Sequence, residues 1–358
     1  MKPTFALIGA GWRGDFFLRI AHDLPDQFPL VGVVARNAEK RAQLKAKWPF
    51  PVFASVDELL GATKPSFAVT AVGWSANLPL LETLAGCGVA VLSETPIAVE
   101  LADLHTAFAL VQTGARIQVA EQYLFQPLHA ARLALANSGR LGTIYETDVS
   151  CAHGYHGVSL LRHYLQVGLR LPRITARKFT SRIAGGPGRE GAPKESVVVD
   201  SERVLAQLDY GDRLGVYDFT GDQYFSWIRS PRLLVRGEKG EINQSTVRLL
   251  QDFRTPLLFD FIRRDAGLDG NLEGFHHQAI LAGGEIFYKN PFPGPRWSDD
   301  EIAVATSLAK MQEYVASGTP FYSVAEACHD RYLDLMIARA VASDQTVEVE
   351  AQAWNSGG

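Results

Sequence analysis

Phe5-Ala-Leu-Ile-Gly9-Ala-Gly11-Trp-Arg-Gly14 is the stretch that decides the fold. A short apolar strand runs into three glycines spaced G-x-G-x-x-G, and a helical apolar pattern follows over residues 16–21. The first glycine permits a tight strand-to-helix turn, the second lets the backbone approach a pyrophosphate, and the third lets the helix pack closely on the strand. Because helix N-termini stabilise anions, the pattern predicts a cradle for a dinucleotide phosphate.

The residues after this stretch favour dinucleotide binding over a glycine turn that binds nothing. A second apolar run at residues 30–34 follows at the distance of a complete strand-helix-strand unit. This is the context in which the glycine pattern is typical of a dinucleotide site. We therefore expect Gly9, Gly11 and Gly14, together with Trp12 and Arg13, to contact the cofactor.

Composition restricts the class of protein. The 358 residues suit two domains, and a net charge of -4 provides no basic surface for nucleic acid. No apolar run approaches the roughly 20 residues that span a bilayer, and Arg13 and glycines interrupt the apolar N-terminal run, unlike a signal peptide. The sequence therefore predicts a cytoplasmic protein without nucleic-acid or membrane partners. Cys87, Cys151 and Cys328 are far apart and are interpreted as buried packing residues.

Strand and helix patterns alternate through the first third of the chain, which is typical of a parallel sheet with helices on both faces. We predict an α/β fold class in which residues 1–121 form a doubly wound Rossmann dinucleotide-binding domain. Residues 122–358 are predicted to form an α+β domain with a large open, mainly antiparallel sheet, for substrate binding and oligomerisation. An exposed sheet face would make the protein a homo-oligomer, either a dimer or a tetramer.

The elements of the second domain are predicted from periodicity and turn residues. Helices are expected at residues 127–138, 158–167, 299–317 and 323–342, strands at 143–150, 196–199, 204–208, 214–219, 233–236 and 247–250, and a loop at 184–194. Segment 222–229 mixes aromatic and polar residues. We interpret it as a half-buried strand facing a subunit interface, with sugar stacking as the alternative.

The residues that follow the second predicted strand indicate which coenzyme the protein prefers. The ligand should lie beyond the strand ends, where an acidic residue about 20 positions past the glycines normally holds the ribose hydroxyls. Arg36 and Asn37 stand there instead. Arginine can pair with a 2'-phosphate or stack on adenine, so the cofactor is NADP or NAD with NADP slightly favoured; a solvated arginine is the alternative.

Val91-Leu-Ser-Glu94-Thr95-Pro96, a strand ending in Glu-x-Pro after a G-x-G-x-x-G domain, resembles the Gfo/Idh/MocA family of sugar and polyol oxidoreductases. Asn137-Ser-Gly-Arg-Leu-Gly142 is similar to the family's turn into the substrate domain, and Gly237-Glu-Lys-Gly240 to its late-sheet turn. The tail is similar as well, for example Phe321-Tyr-Ser-Val-Ala-Glu-Ala. The resemblance covers nearly the whole chain and implies a nicotinamide cofactor and a sugar-like small-molecule substrate.

The chain departs from the family pattern at the strand that ends in Glu-x-Pro. The family usually has lysine where this chain has Thr95, which can donate a hydrogen bond but cannot act as a cationic acid near neutral pH. Gly73 and Asn77 stand where proline and histidine are common. Gln122 could contact the cofactor or only pack between domains. The further cofactor contacts that we predict are Gly73, Trp74, Asn77, Glu94, Thr95, Pro96 and Gln122.

Cys151-Ala-His153-Gly-Tyr155-His156 supplies the candidate chemistry. Oxidising a carbinol needs a base for the hydroxyl proton while the hydride leaves, and a histidine with a pKa of about 6.5 serves both directions. We predict His156 as that group, matching the family's histidine just before its helix. Tyr155 or His153 would orient it or relay the proton, and Thr95 would add a hydrogen bond. Position 152 is alanine, so the family's usual carboxylate companion is missing; the alternative is that these histidines only cap the next helix.

Other polar residues are given structural interpretations. His153 and His156 have H-x-x-H spacing without a further ligand cluster, so no metal site is predicted. His276 and His277 would point to opposite faces of a strand and are interpreted as surface or interface residues. Arg162 and Arg189 could bind an acidic substrate, with solvated arginines as the default.

The leading functional hypothesis is an NAD(P)-dependent oxidoreductase that transfers a hydride between the nicotinamide and a sugar, polyol or related carbinol or ketone. Thr95 leaves open a redox-neutral enzyme that holds its cofactor tightly. A nucleotide-binding sensor that kept the fold without catalysis is the alternative from another class, because a fold does not establish a function.

Overall fold

The computed structural model describes residues 2–267 and 275–355. The chain forms two compact units, each made of three separate segments. The first is Met1–Pro127 with Asp265–His277 and Asn290–Cys328, and the second is Leu128–Arg264 with Gln278–Lys289 and His329–Gly358. The predicted boundary after residue 121 divides the chain into two continuous domains, whereas each unit of the structure is assembled from three separate segments.

A parallel sheet forms the centre of the first unit. Its strands are β1 (Phe5–Ile8), β2 (Leu30–Val34), β3 (Val52–Phe53), β4 (Phe67–Thr70), β5 (Ala90–Ser93) and β6 (Ile117–Val119), in the order β3-β2-β1-β4-β5-β6. Residues of β1, β4 and β5 are buried throughout, as expected when helices cover both faces. The strand order reverses between β1 and β4, which creates a ligand crevice at the carboxyl ends. The predicted doubly wound domain is confirmed.

Five helices accompany these strands: α1 (Trp12–Asp23), α2 (Ala38–Lys47), α3 (Val56–Ala62), α4 (Trp74–Gly86) and α5 (Leu101–Gln112). Asn37 and Ser55 begin α2 and α3 by accepting hydrogen bonds from backbone N–H groups of the first turn. In contrast, α1 and α4 begin after Gly11 and Gly73 without a side-chain cap. Helix α5 begins after Glu100, also without a side-chain cap. Of these three uncapped starts, those of α1 and α4 follow strands β1 and β4 at the ligand crevice.

The remaining elements in chain order are α6 (Pro127–Asn137), β7 (Ile144–Ser150), α7 (Gly154–Leu165), β8 (Arg173–Ala184), β9 (Val198–Asp209), β10 (Leu214–Thr220), β11 (Arg232–Gly237), β12 (Gly240–Asn243), β13 (Thr246–Asp252), β14 (Thr255–Ala266), β15 (His276–Ala282), β16 (Glu285–Lys289), α8 (Asp299–Ser317), α9 (Val324–Ser343) and β17 (Val347–Glu348). The strands from β7 onward form an 11-stranded sheet in the order β16-β15-β14-β13-β12-β11-β7-β10-β9-β8-β17. Its described pairings are antiparallel except for the parallel pair β7 and β10. The predicted mainly antiparallel sheet is confirmed.

Several strands differ from the sequence prediction. The two short strands expected at 196–199 and 204–208 are one strand, β9, paired along its whole length with β8. Neither β8 nor β14 was predicted. Most residues of β14 are exposed on both faces, so its sequence lacks the alternation that marks a half-buried strand. The predicted loop at 184–194 joins β8 to β9.

Segment 222–229 is not a strand, so that prediction was wrong. Gly221–Tyr224 forms a single 3-10 turn that starts with a capping box between Thr220 and Gln223. The Gln223 amide also donates to the main-chain oxygen of Ser150 at 3.3 Å. These side-chain hydrogen bonds replace the ladder that a strand would have made.

Helix α8 packs against α1 in the first unit. Arg19 donates to Glu301 at 2.6 Å, and the indole N–H of Trp297 donates to Asp23 at 2.7 Å. Glu301 also completes a capping box with Ser298 at the start of α8. The first unit therefore includes residues from the last third of the chain. Among the described residues, no helix is both long and apolar enough to cross a membrane.

Glycines let α7 lie close on the large sheet. A Cβ at Gly157 of α7 would lie 2.5 Å from the Tyr217 ring, and a Cβ at Gly215 of β10 would lie 2.5 Å from Leu161. Side chains at either position would force the helix outward. The close packing of α7 against β10 therefore fixes the position of the first turn of the helix.

Candidate functional site

The three glycines of the opening motif meet three different constraints. Gly9 has a φ of +101°, and a Cβ there would lie 2.2 Å from the Ala71 carbonyl oxygen. At Gly14 a Cβ would lie 2.7 Å from the carbonyl oxygen of Gly9. No described atom comes within 4 Å of a Cβ built at Gly11. The first and third glycines are therefore required by the fold, whereas the second leaves room for a ligand.

A cleft of about 810 Å³ opens at the carboxyl ends of the first unit's strands. Its lining includes Gly9, Gly11, Arg36, Asn37, Lys40 and Gly73, and no acidic side chain is among the described lining residues. The remaining lining residues are apolar apart from Ser55. A cleft of this size at uncapped helix N-termini fits a dinucleotide, with its phosphates at Gly11.

Two predicted cofactor residues at α4 have different environments. Trp74 is 55% exposed. Asn77 is buried, accepts a hydrogen bond from Thr70 at 2.8 Å, and donates to Ser93 at 2.9 Å and to the Ile97 carbonyl at 3.1 Å. The Asn77 amide therefore ties the ends of β4 and β5 together, a structural role that the sequence prediction did not include.

Arg13 and Glu94, both half-buried, form a cluster at the end of β5. Nε of Arg13 lies 3.6 Å from Oε2 of Glu94, and its guanidinium stacks within 5.0 Å of the Trp12 and Phe16 ring centroids. With its amide oxygen turned toward Arg13, Gln122 accepts a hydrogen bond at 3.0 Å. Burial raises the pKa of Glu94, and Arg13 opposes that rise. Nη1 of Arg13 is buried and has no hydrogen-bond partner within the described part of the chain.

Thr95 is half-buried and is joined to Pro96 by a cis peptide bond. A threonine cannot supply the positive charge that lysine would bring. The cation beside Glu94 is Arg13, from the glycine motif itself. Sequence reasoning placed both residues at the cofactor but did not pair them, because Arg13 lies in α1 and Glu94 follows β5 about 80 positions later in the chain.

The candidate histidines belong to the second unit and lie in the first turn of α7. This helix begins at Gly154, four residues before the predicted start, with His153 as its N-cap. His156 is buried, and its ring centroid lies 5.0 Å from that of His153 and 4.4 Å from that of Tyr155. The placement of His156 just before the helix was therefore wrong: it lies inside it. The three predicted side chains nevertheless form one cluster.

Tyr224 holds His153 in place. The His153 backbone N–H donates to the Tyr224 hydroxyl at 2.9 Å, and that hydroxyl shares a hydrogen bond with the ring Nδ1 at 2.6 Å. Burial, and secondly His156, lower the pKa of His153 to about 4. His153 is therefore neutral near pH 7, and sequence reasoning missed its partner because Tyr224 was assigned to a strand.

A carboxylate from α9 completes the cluster. A Cβ at Gly154 would lie 2.9 Å from both carboxylate oxygens of Asp334. The Tyr155 backbone N–H donates to Asp334, and Arg331 lies 2.5 Å from it. Burial raises the pKa of Asp334, whereas Arg331 opposes that rise. No sequence signal near His156 indicates this residue.

Other predicted residues have structural roles. Arg162 is not solvated: it is buried and paired with Asp330 at 2.6 Å. His277 is not a surface residue: it is buried and lies 2.8 Å from Asp265. Cys328 is buried as expected, but Cys87 is exposed, which contradicts its interpretation as a packing residue. Within the described ranges, no three histidine, cysteine or acidic side chains gather as a metal site would require.

Comparisons with known proteins agree with the first unit's architecture. Residues 4–121 match the GFO_IDH_MocA family model, described as an oxidoreductase family with an NAD-binding Rossmann fold. The chain is 34% identical over 146 residues to the myo-inositol dehydrogenase Hyg17 of Streptomyces leeuwenhoekii. That match covers 39% of this chain and 43% of the relative, less than half the length of either.

Solved structures share the fold of nearly the whole chain. A levoglucosan dehydrogenase in complex with NADH and levoglucosan has a TM-score of 0.71 at 14% identity, covering 98% of this chain and 100% of its own. A myo-inositol dehydrogenase from Corynebacterium glutamicum has a TM-score of 0.67 at 15% identity, with the same coverage. An oxidoreductase from Agrobacterium radiobacter, in complex with NAD+, L-tartaric acid and magnesium, has a TM-score of 0.69 at 15% identity and covers 97% and 98%. The chain is thus similar to the NAD-binding domain of the GFO_IDH_MocA family over residues 4–121, and it shares the fold of these structures over nearly its whole length.

Proposed function

We propose that this protein is a member of the Gfo/Idh/MocA family and an NAD(P)-dependent oxidoreductase that transfers a hydride between the nicotinamide and a sugar, polyol or related carbinol or ketone. The observation that carries the proposal is the cleft of about 810 Å³ whose lining includes Gly11, where a Cβ would meet nothing within 4 Å. A glycine turn that only satisfied the fold would need Gly9 and Gly14 but not Gly11.

The second unit supplies the acid-base group. His156 takes the hydroxyl proton from the substrate in the oxidative direction and returns it in the reductive one. Neutral His153 and the Tyr155 ring pack against it and hold its orientation. NAD(P), when bound, supplies the hydride acceptor.

Thr95 adds a hydrogen bond near the reacting carbon as part of the same proposal. Glu94 and Gln122 contact the nicotinamide ribose, and Arg13 provides the positive charge in their neighbourhood. Guanidinium groups in proteins do not transfer protons, so the role of Arg13 in this proposal is to stabilise negative charge. The proton transfer rests on the histidines.

NADP is the preferred coenzyme in this proposal. Arg36 and Lys40 both line the cleft beyond β2, where an acidic residue would have favoured the free hydroxyls of NAD. Two cations can bind a 2'-phosphate by charge-assisted hydrogen bonds. Asn37 is a weaker candidate, because its side-chain oxygen already caps α2.

A sugar-like substrate is supported by the chemistry of the second unit and by its structural neighbours. Imidazole and phenol groups at His153, His156 and Tyr224 can exchange hydrogen bonds with several hydroxyls of one molecule. The neighbours include a dehydrogenase bound to levoglucosan.

The proposal includes a cytoplasmic homo-oligomer, a dimer or a tetramer. NAD(P) is an intracellular coenzyme, and large apolar side chains of the second unit, such as Phe253 (81% exposed) and Leu258 (68% exposed), are seldom left to water. Light scattering on the purified protein would give the mass of the assembly. A monomer at micromolar concentration would remove this part of the proposal.

Titration calorimetry with NADP+ and NAD+, followed by turnover assays on sugars and polyols, tests the function. We expect tighter binding of NADP+ and a change in nicotinamide absorbance with at least one carbinol. Arg36→Ala should weaken NADP+ binding by roughly tenfold while changing NAD+ binding little, since it removes a phosphate contact. Arg177→Ala, at an exposed site in the second unit, is the control.

The other outcomes of that experiment separate the alternatives. Binding without turnover of any carbinol would indicate a nucleotide sensor. Cofactor that copurifies and is regenerated in each cycle would indicate a redox-neutral enzyme. Absence of nucleotide binding would reject all three.

A further inference from the structure

We propose that Asp334 is a positioning residue for His156, supplying from α9 the carboxylate that the sequence around the histidine lacks. This inference rests on the proposed acid-base role of His156. Asp334 acts through the first turn of α7, so its effect is on the orientation and charge of the imidazole.

The first observation is the contact between Asp334 and Gly154. Gly154 has a φ of +45°, and a Cβ at this position would lie 2.9 Å from both carboxylate oxygens. Any larger residue at position 154 would displace the carboxylate or the start of the helix. Glycine here is therefore required by the neighbouring carboxylate as well as by the backbone conformation.

The second observation is how the first N–H groups of α7 are satisfied. His153 is the N-cap residue, but its side chain makes no capping hydrogen bond. Instead the Gly154 N–H donates to the Tyr217 hydroxyl at 2.8 Å, and the Tyr155 N–H donates to Asp334. Two residues distant in sequence thus replace the usual local cap.

The third observation is the charge around His156. The rings of His153 and Tyr155 contact the His156 ring, and Asp334 of α9 interacts with it electrostatically. The neighbouring titratable and charged groups lie one contact further away: Arg331 on Asp334, Tyr217 on the Gly154 N–H, and Tyr224 on His153. Asp334 is the carboxylate of this set, and its electrostatic coupling to His156 is favourable. A carboxylate near an imidazole favours the protonated form, and it is also favourable at a helix N-terminus.

The local sequence offers no substitute for Asp334. Ala152 stands four residues before His156 and Ser159 three residues after it. Asp334 is held in turn by Arg331, one turn earlier on α9. Arg331 therefore fixes the carboxylate in place before any substrate binds.

NMR titration of the His156 imidazole in Asp334→Asn tests the inference, with His156→Asn assigning the resonance. Asparagine keeps an oxygen for the Tyr155 N–H but removes the charge. We expect the pKa of His156 to fall by roughly one unit, because an attractive carboxylate is lost. Asp344→Asn, an exposed carboxylate just beyond the same helix, should leave the pKa of His156 unchanged. An unchanged His156 pKa in folded Asp334→Asn would overturn the proposal.

Kinetics add a second readout that a purely structural role would not move. With a substrate that the wild type turns over, the acid limb of the kcat/KM profile of Asp334→Asn should move to lower pH by the same amount, with unchanged NADP+ affinity. Absence of turnover in the wild type would count against the proposed function, whereas the NMR titration decides the role of Asp334 in either case. Asp334→Ala, which also removes the hydrogen bond, should lose stability in addition.

Discussion

The glycine turn of the first unit and the histidine turn of the second are both helix starts, and they are stabilised in opposite ways. Gly11 precedes α1 with no side-chain cap, and a Cβ there would meet open space. His153 precedes α7, also without a side-chain cap of its own, but Tyr217 and Asp334 fill that position. The start of α1 is therefore open to a ligand, whereas protein side chains already occupy the start of α7.

The difference explains why the two regions are encoded differently. The glycine turn depends on residues within one stretch of ten, so the pattern is readable in the chain. The histidine turn depends on β10, a 3-10 turn and α9, which the fold brings together. The glycine turn can thus be recognised from a short stretch of sequence. The residues that orient the histidines can be identified only from the tertiary structure.

The largest expected effect is on the histidine turn. His156→Ala should lower turnover by about 10²–10⁴-fold, the usual contribution of a general acid-base, with little change in nucleotide affinity. Steady-state kinetics and calorimetry on the same preparation measure both. His22→Ala, at an exposed position of α1, is the control. Unchanged turnover would remove His156 from the acid-base role.

The next effect separates two glycines of the open helix start. Gly9→Ala should lower the free energy of unfolding by about 2–4 kcal/mol, because it combines a positive φ with a 2.2 Å backbone clash. Gly11→Ala should leave stability unchanged and weaken nucleotide binding by roughly 10- to 100-fold. Chemical denaturation and calorimetry give the two numbers. Equal stability losses in both variants would contradict the assignment of Gly11 to the ligand.

We expect the second unit to lose stability at acidic pH, because several of its histidines are buried. Burial lowers the pKa of His129 and His329 to about 3 and that of His153 to about 4. The unfolded chain binds their protons first, so stability is full above pH 6.5 and is lost as pH falls toward 4, by about 1.4 kcal/mol per pH unit for each histidine.

Denaturation at several pH values measures this slope. His153→Asn should make the dependence of unfolding free energy on pH less steep by the contribution of one histidine. A slope that stays the same in His153→Asn would mean that His153 is not held neutral by the fold.

The smallest effect concerns the hydroxyl that holds His153. Tyr224→Phe removes both hydrogen bonds to that residue and should cost about 1 kcal/mol of unfolding free energy. Tyr145→Phe removes an exposed hydroxyl bonded to Glu238 at 3.3 Å and should stay within about 0.5 kcal/mol of wild type. Equal effects in the two variants would show that Tyr224 is not a specific support.

Much of the first unit could be predicted from the sequence, because its strands are buried apolar runs and its turns use glycine. Helix α8 was predicted with its bounds, since a capping box and regular periodicity mark it. The second unit was harder. Strand β14 exposes both faces, and α7 begins four residues early because its cap comes from Asp334 and Tyr217 rather than from a local side chain.

The sequence identified the residues of the candidate site but not the contacts between them. The cofactor glycines and the three side chains His153, Tyr155 and His156 were found, and their roles stay predictions. Asp334 could not be found because nothing in its own helix marks it as a partner. Arg162 was misinterpreted for a similar reason, since its partner Asp330 also lies on α9.

The interrupted first unit has a consequence for synthesis on the ribosome. Arg19 and Asp23 of α1 meet partners at Glu301 and Trp297, and Gln118 of β6 accepts from the backbone of Tyr322. A nascent chain that has reached only Pro127 therefore has its dinucleotide sheet without the residues that cover it. The first unit is complete only after the last third of the protein has emerged, so its completion and that of the second unit fall late and close together in translation.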